Sequence, residues 1–101
     1  MNQAVKISLI TKTYTINEIG VSEAKESTKE LFAVKHSISQ SEFYSAGLQG
    51  FKPEARYDVL LTEYAGQDEL EENGNRFTIY RTYDREDGRI ELYATQRKGS
   101  K

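Results

Sequence analysis

The chain has 101 residues, enough for one domain with a modest core. It contains no cysteine, which excludes disulfides, thiolate metal sites and a cysteine nucleophile, and its formal net charge of −2 argues against a protein that grips DNA or RNA through the phosphates. Seven tyrosines and four phenylalanines beside 30% charged residues predict a folded domain with a wet, charged surface rather than a disordered chain.

Residues 1–10 carry one lysine and a short alternating apolar stretch, without the apolar core and small-residue cleavage site of a signal peptide. No apolar run approaches the ~20 residues a membrane helix needs, so no membrane is expected as a partner. Residues 5–16 read as a strand, with Val5, Ile7 and Leu9 on one face and Lys6, Ser8 and Ile10 on the other. Asn17-Glu18-Ile19-Gly20 reads as a turn. Residues 22–37 are ambiguous. Their first half, with Glu23, Lys25, Glu26, Lys29 and Glu30, suits a solvated helix, whereas Leu31 to Ile38 alternates and places Phe32, Val34 and Ile38 on one face. A long strand pairing back on the first is the favoured reading.

Ser39-Gln40-Ser41-Glu42 forms a capping box, with Ile38 and Phe43 placed as a hydrophobic staple. A helix of about two turns follows, stopped by Gly47, Gly50 and Pro53. From Ala55 the period returns to two, Ala55, Tyr57, Val59 and Leu61 opposing Arg56, Asp58, Leu60 and Thr62. Residues 65–72 read as a polar, acidic loop. Asn73-Gly74 is a strong hairpin signal, because a type I′ turn needs positive φ at both central residues. Residues 76–83 form a strand with Phe77, Ile79 and Tyr83 on one face, Glu86-Asp87-Gly88 turns the chain, and residues 89–96 close the series with Ile90, Leu92 and Ala94 inward. Residues 97–101 look like a loose basic tail. The sum is an all-β single domain: a small five-stranded antiparallel barrel with one short helix inserted after the second strand.

Chemistry finds little foothold. His36 is the sole histidine, so no second imidazole exists to build a metal or base constellation. Asp68-Glu69-Leu70-Glu71-Glu72 lacks the spacing of a calcium loop and reads as a solvated acidic segment. Gly47-Leu48-Gln49-Gly50 is too sparse to cradle a phosphate. No catalytic residue, metal or cofactor is expected. Tyr80, Tyr83 and Tyr93 with Arg76, Arg81, Arg85, Arg89 and Arg97 leave three readings open: a stacking platform for single-stranded nucleic acid, a protein interface, or cross-strand packing on a solvated sheet.

The order Ser37-Ile38-Ser39-Gln40-Ser41-Glu42-Phe43-Tyr44, Ala46-Gly47, Lys52-Pro53-Glu54, Tyr57, Val59 and Glu63-Tyr64 resembles the head-closure (head–tail adaptor or connector) family of siphovirus-type phages and Gram-positive prophages. Asn73-Gly74-Asn75-Arg76-Phe77-Thr78-Ile79-Tyr80-Arg81-Thr82-Tyr83 and Arg89-Ile90-Glu91-Leu92-Tyr93 continue the likeness, which spans roughly residues 16–99. The resemblance implies a non-enzymatic structural subunit, made in the host bacterial cytoplasm and placed at the virion head–tail junction. There it would form a ring, usually twelvefold, between the portal–adaptor ring and the tail, with DNA passing through unbound. A tail terminator or minor tail protein is the alternative within the same module, and a nucleic-acid-binding small barrel the alternative of another class. The apolar groups Phe43, Tyr44, Leu48 and Phe51 on residues 39–53 must then pack on the barrel or on a neighbouring subunit. They are candidate interface residues together with Tyr80, Arg81 and Tyr83. Either that segment or the acidic one, with Gln67, Asp68 and Glu69, is expected to face the channel or a neighbouring ring, and deletion of residues 67–71 to spare folding.

Overall fold

The computed structural model describes residues 3–96, so the tail expectation for residues 97–101 lies outside the described part. In chain order the elements are β1 (Gln3–Ile16), β2 (Ser22–His36), α1 (Gln40–Leu48), β3 (Pro53–Leu60), a single 3-10 turn (Leu61–Glu63), β4 (Glu69–Glu72), β5 (Asn75–Asp84) and β6 (Arg89–Gln96). The strands close into an antiparallel barrel in the order β1-β2-β3-β6-β5-β4, and β4 pairs back on β1. None of the helices among the described residues is long and apolar enough to cross a membrane.

The interior follows the period-two pattern. Ile7 and Leu9, Leu31 and Ala33, Ala55, Tyr57 and Val59, Leu70, and Ile90, Leu92 and Ala94 form one buried cluster, with Val5, Tyr64, Phe77 and Ile79 packed against it. At one end of the barrel the hydroxyl of buried Tyr57 donates to Glu72 Oε1 at 2.6 Å, and Lys35 Nζ donates to the same oxygen at 2.9 Å. The tyrosine is thereby buried without an unsatisfied hydroxyl.

Two expectations are corrected, the strand count and the face of Tyr83, and the face of β2 that enters the core is decided. The barrel has six strands, not five: the sixth is β4, inside the segment read as a solvated loop. Three of its four residues are glutamates, which hides a strand from any hydropathy pattern, yet Leu70 is 0% exposed between Leu9 of β1 and Phe77 of β5. On β2 the face bearing Phe32 is the outer one. The register sets Leu31 opposite Ile7 and Ala33 opposite Val5, so Leu31 and Ala33 enter the core and Phe32 is left exposed. On β5 the register shifts between Ile79, opposite Ala94, and Arg81, opposite Tyr93. This bulge adds one residue and reverses the alternation beyond it, so Tyr83 faces outward with exposed Glu86 and Asp87 nearby in the chain, not inward with Phe77 and Ile79.

The local signals hold. Asn73 and Gly74 both take positive φ, +53° and +83°, as a type I′ turn requires. Ser39 Oγ caps α1 by accepting from Glu42 N at 3.1 Å. The far end of α1 is a Schellman motif: Phe51 N donates to Ala46 O and Gly50 N to Gly47 O, with Gly50 at φ +88°. The motif turns the chain back so that Lys52 can be tied to β6, where Thr95 Oγ1 donates to its carbonyl at 2.8 Å.

β1 and β2 extend well past the barrel. β4 pairs only with Ser8 to Ile10 of β1, and β3 only with Val34 to His36 of β2, while the two long strands pair with each other out to Ile16 and Ser22. The outer part is therefore a two-stranded arm, which gives the molecule extents of 51 × 29 × 25 Å. Beyond Thr11 on β1 and before Leu31 on β2 every residue of these strands is exposed.

Candidate interaction surface

The β5 bulge places Tyr80 and Arg81 next to each other on the outer face, and α1 docks there. Phe51 stacks on Tyr80 with ring centroids 4.9 Å apart and planes 18° from parallel. The Tyr80 hydroxyl donates to Glu42 Oε2 at 2.7 Å, and Arg81 forms an ion pair with the same carboxylate. The Arg81 guanidinium lies 4.0 Å over the ring of Tyr93, whose hydroxyl donates to Glu91 at 2.6 Å. Glu42 thus does not close the capping box expected of it. Its amide takes the cap, and its carboxylate is spent on β5. Ala46 is the buried residue of the helix, while Phe43, Tyr44 and Leu48 point to solvent.

Electrostatics tighten this clasp. Burial pushes the pKa of Glu42 up towards the neutral form, but hydrogen bonds from Arg81 and Tyr80 outweigh it and hold the carboxyl below the usual glutamate range. Glu72 is lowered in the same way, burial being outweighed by Tyr57 and Lys35. A carboxylate with a depressed folded-state value stabilises the fold above the unfolded value and loses that contribution as pH falls through the folded one. Thermal stability is therefore expected to decline below about pH 4.3. In Glu42→Gln the decline should be shallower, as read from melting temperatures between neutral pH and pH 3. An unchanged acid profile in that variant would remove Glu42 from the account.

A second cluster lies on the outer face of β2, β3 and β6, and the sequence reading missed it. Asp58 is 3% exposed although its neighbours in the strand, Tyr57 and Val59, face the core. Arg56 grips it through Nε at 3.0 Å and Nη2 at 3.2 Å, Arg85 Nη1 reaches it at 3.2 Å, and His36 Nε2 at 2.9 Å. Glu91 stands directly opposite Asp58 in the β3–β6 register. Arg56 and Arg85 each contact this second carboxylate too, at 3.8 and 3.9 Å, and so neutralise a facing like-charge pair. In the strand alternation Asp58 stands on the face opposite Tyr57 and Val59, and no local signal marks it as buried.

The acidic segment is mostly structural. Gln67 is buried: its side-chain oxygen accepts from Ala65 N at 2.8 Å, and its carbonyl accepts from the Tyr64 hydroxyl at 2.8 Å. Asp68 is exposed at the side chain while its carbonyl accepts from Ile79 N at 2.8 Å. Glu69 belongs to β4 and meets Lys12 and Arg76, each at 3.5 Å. A cleft of about 390 Å³ opens beside this segment, walled by Ile10, Lys12 and Tyr14 at the root of the arm and by Gln67 and Asp68 opposite. The candidate residues therefore do not form one site. Glu42, Phe51, Tyr80, Arg81 and Tyr93 converge. Phe43, Tyr44 and Leu48 form the exposed side of that assembly, Gln67 to Glu69 sit elsewhere, and Tyr83 is exposed.

The arm was also passed over as a surface. Tyr14, Ile16, Ile19 and Val21 on it are exposed, as is Phe32 on the barrel. The signal was present in the sequence, since a turn that contains Ile19 and is flanked by Ile16 and Val21 is unusually apolar for solvent. Among the described residues no group of His, Asp and Glu side chains is disposed to hold a metal ion.

No protein-family model matches the chain, and no curated protein matches it.

Proposed function

We propose that this chain is a head-closure subunit of a tailed phage or prophage: a structural protein that acts as a ring at the head–tail junction, beneath the portal–adaptor ring, and docks the tail. One observation carries the proposal most directly. The barrel satisfies its own core, whereas the arm between β1 and β2 and the helix inserted between β2 and β3 hold large apolar side chains out in water. Apolar groups held clear of a self-sufficient core mark a surface that is covered in an assembly. The order of segments that resembles the head-closure family, with the closed small barrel and the helix after the second strand, supports reading that assembly as the head–tail ring.

The Tyr–Arg surface fits packing and interface better than nucleic-acid stacking. Arg56, Arg76, Arg81 and Arg85 are each paired with carboxylates, Tyr80 is covered by Phe51, and Tyr93 by Arg81. A stacking platform needs free ring faces and cations available to phosphates.

The test is native mass spectrometry of the protein with and without a portal–adaptor ring. An annular complex that forms with the adaptor ring is the expected result. A monomer alone is compatible with the proposal, because each interface singly need not offset the entropy of association. Failure to join any annular complex when portal-side components are supplied would overturn it, and binding to tail tube alone would favour a tail terminator.

A further inference from the structure

The arm leaves two strand edges without a partner. β4 pairs with β1 only as far as Ile10, and β3 pairs with β2 only from Val34 to His36. Among the described residues no strand therefore covers the outer edge of β1 from Thr11 to Ile16, or that of β2 from Ser22 to Glu30. In an antiparallel pair alternate residues turn N–H and C=O away from the partner strand, so each edge offers a row of main-chain donors and acceptors. Neither edge is guarded. Neither stretch contains proline or glycine, and the β1–β2 register runs from Gln3 to Ile16 without a bulge. Thr13, Tyr14, Thr15 and Ile16 are strong strand formers. The 390 Å³ cleft lies along the β1 edge, with Ile10, Thr11, Lys12 and Tyr14 as one wall, and keeps space open where β4 stops. The root of the arm is held in place: Arg76 of β5 grips Glu26 with two bonds of 3.0 Å, and Lys12 pairs with Glu69 of β4.

We infer that the arms of successive copies of this chain pair edge to edge, β1 of one copy adding antiparallel to β2 of the next through main-chain hydrogen bonds. β1 runs out along the arm and β2 runs back, and their open edges lie on opposite sides. A second arm set alongside in the same orientation therefore brings β2 against β1 in the antiparallel sense. Arms held level by a rotation repeat the hairpin's own register across the junction. Tyr14 then stands between two copies of Ala24, Ile16 between two of Ser22, and Lys12 faces a second Glu26. Each large side chain meets a small one and the cation meets an acid. Opposite residues share a face, so Thr13 and Thr15 stay with Lys25 and Glu23 on the polar side in every copy. A two-fold contact loses this match: β1 against β1 centred on Tyr14 sets Tyr14 against Tyr14 and Lys12 against Ile16, and it leaves both β2 edges open. The head-to-tail contact uses both edges, and closing the row into a ring leaves neither unpaired. The inference rests on the ring reading above for that closure and deepens it by naming the strands that meet.

Thr15→Cys and Glu23→Cys test the junction, each in a chain with no other cysteine. Both positions are exposed on the polar side of the arm, beyond the barrel, so the fold is retained. Their equimolar mixture is treated with a short bis-maleimide, once at high protein concentration and once on the portal–adaptor ring. The mixed dimer should form well above the half share expected from random collision. In the unsubstituted protein, amide hydrogen exchange in residues 11–16 and 22–30 should slow together as copies associate, by about tenfold, the effect of ~1.4 kcal/mol of pairing. A random share of mixed dimer under both conditions would overturn the inference. So would Thr15→Cys alone linking as efficiently as the mixture, which means that β1 pairs with β1, or protection that rises on one edge only or on neither. Mixed dimer without any annular complex on portal-side components leaves the edge contact standing and removes the head–tail assignment. An annular complex with a random share of mixed dimer does the reverse.

Discussion

Truncating Leu70 to Ala is expected to cost roughly 2–5 kcal/mol, and deleting residues 67–71 is expected to abolish cooperative folding. Leu70 is the residue through which β4 enters the core, wholly buried between Leu9 and Phe77. Among the described residues β4 is the strand that joins β1 to β5, so its removal reopens the barrel and leaves two unpaired edges. It also removes Gln67, whose side chain and carbonyl tie the preceding turn to Tyr64 and Ala65. Chemical denaturation followed by circular dichroism measures both effects. This reverses the expectation that the acidic segment is a dispensable loop. A deletion variant that unfolds cooperatively with near-native stability would show that the barrel closes without β4.

Replacing Asp58 with Ala is expected to destabilise the protein by about 3 kcal/mol, the low end for breaking a buried ion pair. The loss exceeds that of an exposed pair because the carboxylate is 3% exposed and holds three partners, Arg56, Arg85 and His36. Arg56 and Arg85 are 25% and 36% exposed at the side chain, so each can recover some hydration, which keeps the cost from rising further. Arg85→Ala should cost less than Asp58→Ala but more than a surface substitution. It leaves Asp58 and Glu91 facing each other with only Arg56 between them. A double-mutant cycle on Arg85 and Glu91 measures that coupling. If Asp58→Ala changed stability by no more than an exposed substitution does, the cluster would be a surface arrangement with no hold on β3 and β6.

The two results bear on the proposed assembly in different ways. Leu70 and Asp58 decide whether the barrel exists, and neither touches the arm or the exposed side of α1. Variants there can therefore be read for association without the confusion of unfolding. Glu42 stands between these cases. It fastens α1 to β5 through Tyr80 and Arg81, and so sets how Phe43, Tyr44 and Leu48 are presented.

What the sequence determined by itself was everything governed by neighbours along the chain. The alternation of β1, β3 and β6, the long β2, the serine cap and glycine stop of α1 and the Asn73-Gly74 turn were all legible, because each depends on side chains two to five residues apart. The tertiary structure alone decided β4, the outward turn of Tyr83, the burial of Asp58 and the exposure of Phe32. Each of these is fixed by a partner strand distant in sequence. Leu9 makes a strand of an acidic segment, Ala94 and Tyr93 reveal the β5 bulge, Arg85 covers a carboxylate on a different hairpin, and Ile7 chooses which face of β2 turns inward. In a barrel the register between strands selects the buried face, and register is a property of pairs that no single segment contains.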